Sequence, residues 1–111
     1  MKVANAEIIA GICGFRTSVR AEGDDDFSVH LAVTSDCEKV RGLAAELGTV
    51  SALNELGRGH EGVILSAGRR HLKGCCAACV VPAGIFKAMQ VAAGVALPAD
   101  VNLALQLQVS P

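Results

Sequence analysis

Five cysteines carry most of the chemical potential of this 111-residue sequence. Cys75, Cys76 and Cys79 stand together in the stretch HLKGCCAACVVP (71–82), Cys13 in GICGF and Cys37 in TSDCEKV. Thiols at this density suit three chemistries. They ligate zinc or an iron–sulfur cluster, because soft sulfur donors favour both. The C-x-x-C pair formed by Cys76 and Cys79, placed ahead of a helix, can cycle between dithiol and disulfide. Alternatively the thiols only pack, since free cysteine is among the most buried residue types. His71, four residues before Cys75, adds a nitrogen ligand to the metal reading.

Composition narrows the classes. The formal net charge is −1, there is no Trp or Tyr, and only Phe15, Phe27 and Phe86 are aromatic. Neither the basic footprint nor the stacking platforms of a nucleic-acid binder are therefore expected. No apolar run reaches the roughly 20 residues of a membrane span, and the opening MKVANAEIIAG does not fit a signal peptide. These features point away from a membrane and toward the cytoplasm. In that compartment an odd number of cysteines argues against a disulfide framework.

Other motifs carry little. GRGHEG (57–62) formally matches G-x-G-x-x-G, but it follows a helical pattern and no acid lies ~20 residues further on, as a dinucleotide site requires. It is read as a loop. Asp24, Asp25 and Asp26 lack the ligand spacing of a calcium loop and read as a solvated turn. No paired carboxylates, Ser-His-Asp set or phosphate loop is present, so no catalytic residue is assigned and binding is favoured over catalysis.

The cysteines need elements to position them. Residues 15–22 and 27–34 alternate apolar and polar with the period of a half-buried strand, and EGDDD between them makes a hairpin loop. The apolar rows meet if 21 opposes 27, 19 opposes 29 and 15 opposes 33, which sets 35 opposite 13. Ala4, Ala6, Ile8, Ala10 and Ile12 share one face of a preceding strand, and Val101, Leu103, Leu105, Leu107 and Val109 one face of a last strand. Between them lie helices over CEKVRGLAAEL, SALNEL, GVILSAGRRHL and AGIFKAMQVAAGVAL. Pro82 opens the last of these and Pro98 stops it. The order β-β-β-α-α-α-α-β predicts a single α+β domain over residues 1–111. Helices pack on one face of a mainly antiparallel sheet made of three N-terminal strands and a C-terminal strand.

In that arrangement Cys13 enters the second strand where Cys37 leaves the third. Their Cα atoms should lie within about 10 Å, because adjacent strand ends are only ~5 Å apart. Cys37 and Cys79 each precede or begin a helix, where partial positive charge lowers a thiol pKa. Arg69, Arg70, His71 and Lys73 should lower it further around Cys75–Cys79.

The layout resembles NifU/IscU-type iron–sulfur scaffold proteins over residues 5–95. There, one cysteine follows the first strand in a turn, a second follows the third strand at a helix start, and a third opens a later helix after a lysine. GICGF with Cys13, TSDCEKV with Cys37, and HLKGCCAACVV with Cys75, Cys76 or Cys79 occupy the matching places. The chain also resembles a small uncharacterised prokaryotic family, through GICGF and VPAGIFKAMQVAAGVALPAD (81–100). The scaffold resemblance implies a cytosolic, non-enzymatic protein that holds zinc or an iron–sulfur cluster. Its ligands would be Cys13, Cys37 and Cys79, with Cys75, Cys76 or His71 as the fourth. Two other readings stay open: a thiol redox protein using the CAAC pair, and a structural module with packed cysteines. In the latter a last strand at the sheet edge invites a homodimer.

Overall fold

The computed structural model of the protein describes residues 1–110. Four strands form one antiparallel sheet in the order β1-β2-β3-β4: β1 (Lys2–Ile9), β2 (Arg16–Gly23), β3 (Ser28–Ser35) and β4 (Thr49–Ser51). Four α-helices complete an α+β fold: α1 (Glu38–Ala44), α2 (Ala52–Arg58), α3 (Val63–His71) and α4 (Val81–Ala92). The alternation read in the sequence is the alternation of burial. Thr17, Val19 and Ala21 on β2 and Val29 and Leu31 on β3 are buried, while Arg16, Arg20, His30 and Ala32 face out. Leu43 of α1, Ile64 of α3, and Ile85 and Met89 of α4 close over that inner face with no exposed surface. Each such aliphatic side chain contributes about 1.5–3 kcal/mol by leaving water.

The β2–β3 register differs from the expected one. Ala21 faces Leu31, Val19 faces Val33 and Thr17 faces Ser35, so every partner lies four positions further along β3. An even displacement keeps each apolar row on its face, which is why the pattern alone could not fix it. The turn decides. Asp24 Oδ1 accepts hydrogen bonds from the N–H groups of Asp26 (2.8 Å) and Ser28 (3.0 Å), an Asx-type turn that tightens the loop. Phe27 takes the left-handed conformation there, with φ 62°. Gly23 remains inside the ladder because α4 ends directly on it. A Cβ at 23 would stand 2.8 Å from the carbonyl carbon of Ala92 and nearer still to its oxygen.

Two further corrections concern the elements. β4 was not foreseen: three residues are too few to show alternation, yet Val50 pairs with Val29 and Thr49 with His30. Residues 101–109 are exposed and pair with no strand among the described residues, so the expected C-terminal strand is absent from the sheet. Ile12 also leaves the apolar row, in the exposed turn after β1.

Helix α4 ends at Ala92, before Pro98. The N–H of Val95 reaches the carbonyl of Gln90 and that of Gly94 the carbonyl of Val91, both at 3.0 Å. With Gly94 at φ 78° this is the Schellman arrangement, which glycine adopts without strain. The apolar stretch Gly74–Ala92 has the length and composition of a membrane span. It is not one helix, however: residues 77–80 form a turn between a 3-10 segment and α4. One face of α4 is buried within the domain.

GRGHEG has a structural account. Glu55 of α2 is only 2% exposed, and its carboxyl oxygens accept from the N–H groups of Val63 (2.9 Å) and Ile64 (2.8 Å). It thereby caps α3 from another helix, occupying donors that the first turn leaves open.

Candidate functional site

One end of the sheet gathers the cysteines. The β1–β2 connection is closed by the N–H of Ala10 on the carbonyl of Phe15 (3.2 Å) and that of Gly14 on Gly11 (2.9 Å), and Cys13 sits exposed at its tip. The ladder continues one residue past β3, where the Asp36 N–H meets the Arg16 carbonyl at 3.1 Å. Continuing that register sets 37 opposite 15, two residues from Cys13, where 35 opposite 13 was expected. Cys37 is thereby set beside the strand end that leads out of the Cys13 turn.

Cys37 is the N-cap residue of α1. Its N–H donates to the Ser35 hydroxyl (3.1 Å), which lies 2.7 Å from the buried Thr17 hydroxyl. Ser35 thus ties the start of α1 to the β2–β3 ladder. Arg41 donates from its guanidinium to the Ser35 carbonyl at 3.0 Å, which holds the same corner from the helix side.

The segment between α3 and α4 delivers the remaining thiols. A 3-10 turn over Gly74–Cys76 is followed by a bond from the Cys79 N–H to the Cys76 carbonyl (3.0 Å). The C-x-x-C pair therefore closes a single turn immediately before α4. Cys37, Cys76 and Cys79 are half-buried and pack against the margin of the core. Lys39 of α1 reaches across to Cys76, with Nζ 3.6 Å from Sγ.

Cys79 is the thiol on which the others act. Its thiol pKa is raised from the ordinary 9.0. Burial is the largest cause, the Val81 backbone hydrogen bond pulls the other way, and the charges of Cys37, Cys13 and Cys76 push it up further. The expected lowering at a helix start is thus reversed: desolvation and three like charges outweigh one backbone donor. The expected help from basic side chains is also absent at Cys79. Arg69 pairs with Glu61 at 3.2 Å, while Arg70 and His71 both pair with Glu46. Each of these carboxyls is held below the ordinary range, Glu61 chiefly by its hydrogen bond to Arg69 and Glu46 by those to Arg70 and then His71.

Of the six candidate ligands, then, Cys13, Cys37 and Cys76 act electrostatically on Cys79. Cys75 is exposed beside them, and His71 is occupied by Glu46 at the α1–α3 contact. Among the described residues no three His, Cys, Asp or Glu side chains stand close enough to hold a metal ion. Lys39 escaped the sequence reading, and Ser35, expected with Asp36 as a candidate N-cap of α1, instead receives the N–H of the N-cap residue Cys37. A lysine two residues after Cys37 was the available signal for the first, whereas the pairing of Ser35 with Thr17 needed the correct register.

No curated protein and no solved structure matches this chain. Its sequence does match one family, described as a family of unknown function (DUF6951), over residues 4–105, and the chain belongs to that family.

Proposed function

We propose that the protein binds a thiophilic metal, as zinc or an iron–sulfur cluster, through Cys13, Cys37, Cys76 and Cys79. The observation that carries this reading is that two sequence-distant thiols, Cys13 and Cys37, act together with Cys76 on Cys79. Three half-buried thiols and the exposed Cys13 repel one another when ionised, and a bound cation relieves that repulsion while compensating the desolvation of the buried ones. Packing alone gives no reason for the β1–β2 turn, the start of α1 and the approach to α4 to contribute one or two cysteines each. The ligand set is all sulfur, which suits both zinc and iron–sulfur clusters. Binding requires the thiols to draw together from their present separations. The exposed Cys13 turn and the 73–80 segment are the parts that must close.

The order of the cysteines, in a first turn, after the third strand and before a late helix, resembles NifU/IscU-type scaffolds and favours an iron–sulfur cluster over zinc. Free cysteines throughout suit a reducing, cytoplasmic setting. The redox alternative needs a depressed thiol pKa in the CAAC pair, and the rise at Cys79 weighs against it.

The test is metal analysis and visible absorption of full-length protein purified without oxygen. Stoichiometric iron with sulfide and visible absorbance indicates a cluster, and colourless protein with one zinc indicates a zinc centre. Single Ser substitutions at Cys13, Cys37, Cys76 and Cys79 should each lower the metal content, and Cys75→Ser should not. Folded protein that takes up neither metal on reconstitution overturns the proposal.

A further inference from the structure

Residues 101–109 carry a strand pattern without a partner. Val101, Leu103, Leu105, Leu107 and Val109 are 68–89% exposed, alternating with Asn102, Ala104, Gln106 and Gln108. Five aliphatic side chains in one row form a continuous apolar stripe, which isolated soluble chains seldom leave in water. The molecule measures 57 Å along its long axis against 27 and 25 Å across, and residues 97–110 are all exposed.

The same chain offers a place for such a segment. β1 and β4 are the sheet edges. β4 is blunt, with three residues, whereas β1 runs for eight. Half of the backbone N–H and C=O groups of an edge strand point outward unpaired, and a long uncovered edge is a template for another strand. The inner row of β1 is also incompletely covered: Ala4 is buried, but Ala6, Ile8 and Ala10 are only half-buried. Helix α4 packs on this row through Gly84 without covering it fully. A Cβ at Gly84 would meet Ile8 Cγ1 at 3.0 Å, and Ala88 and Val91 follow Gly84 on the same helix face. Val91, at the far end of that face, is again only half-buried.

We infer that residues 101–109 form a fifth strand on the β1 edge of a second copy of this chain, exchanged reciprocally in a two-fold dimer. The lengths agree, since nine residues extend for about 30 Å and the eight of β1 for about 26 Å. The faces agree as well. With the leucine row turned inward it meets Ala6, Ile8 and Val91, and Asn102, Gln106 and Gln108 join the solvent face beside Asn5 and Glu7. A second copy is the occupant because only the start of the segment, at Val101, lies beside α4 of its own chain, while residues 102–109 are exposed throughout. Exchange closes the long edge of both sheets, whereas one-way addition leaves one edge open. This inference is independent of the thiol site.

The test uses the full chain. Sedimentation equilibrium should return a dimer, and Leu105→Glu, at a side chain already exposed in the single chain, should give a folded monomer by circular dichroism and sedimentation. Isotope-filtered NOEs in a co-refolded mixture of labelled and unlabelled protein should connect the methyls of Leu103, Leu105 and Leu107 to Ile8 of the other copy. A monomer at high concentration overturns the inference. So does a dimer that Leu105→Glu leaves intact, or a set of contacts to Ile8 confined to one chain.

Discussion

Thr17 and Ser35 face each other across β2 and β3 with their hydroxyl oxygens 2.7 Å apart, and the Ser35 hydroxyl also receives the N–H of Cys37. One serine therefore ties the β2–β3 ladder to the residue that begins α1. Ser35→Ala leaves the buried Thr17 hydroxyl and the Cys37 N–H without this partner. The expected cost is about 1–3 kcal/mol, read as a lower urea midpoint with an unchanged slope. Metal uptake should fall more in Ser35→Ala than in a surface variant of equal stability.

Glu55 supplies a second test, remote from the thiols. Its two carboxyl oxygens serve two backbone donors at the start of α3. Glu55→Gln keeps the shape but replaces one acceptor by an NH2 group, setting donor against donor in a buried place. A loss of about 1–3 kcal/mol follows, by thermal or chemical unfolding. Metal content should be unchanged in the folded fraction, which separates this position from the cysteine corner.

Gly23 reports on packing. The ladder carries it beneath the end of α4, and a methyl group there collides with the Ala92 carbonyl. Because the clash is with backbone, neither partner can rotate away, and Gly23→Ala should destabilise by about 1–3 kcal/mol. If the variant unfolds at the wild-type midpoint, α4 does not end on β2.

Periodicity made much of this legible. The rows on β1, β2 and β3 and the stripe of Val40 and Leu43 on α1 are burial written as spacing, and they were enough for the α+β class. Register was not legible, because displacement by an even number of residues preserves every face; only the Asp24 turn distinguishes the alternatives. β4 was too short to alternate. Residues 101–109 show the opposite limit: they have the strand pattern, but pattern says nothing of whose edge a strand joins. For the thiols, position along the chain was legible but solvation was not. The burial that raises Cys79 and the carboxyls that occupy Arg69, Arg70 and His71 arise from tertiary contacts.

The raised pKa of Cys79 makes the pH dependence of stability a test of what the corner holds. Without metal, the folded chain keeps this thiol protonated to higher pH than the unfolded chain does. The resulting stability is fully present below the free thiol value of about 9.0 and is lost as pH rises through the higher folded value. Metal-free protein should therefore lose stability on going above pH 9, and Cys79→Ala should lose less over the same range. A bound cation reverses the sign, because it binds the thiolate and the folded value then falls below the free one. Metal-loaded protein should gain stability as pH rises toward 9 and lose it on acidification, with metal released. Urea midpoints measured across pH on both forms decide the matter: parallel curves would mean that the metal does not sit on Cys79.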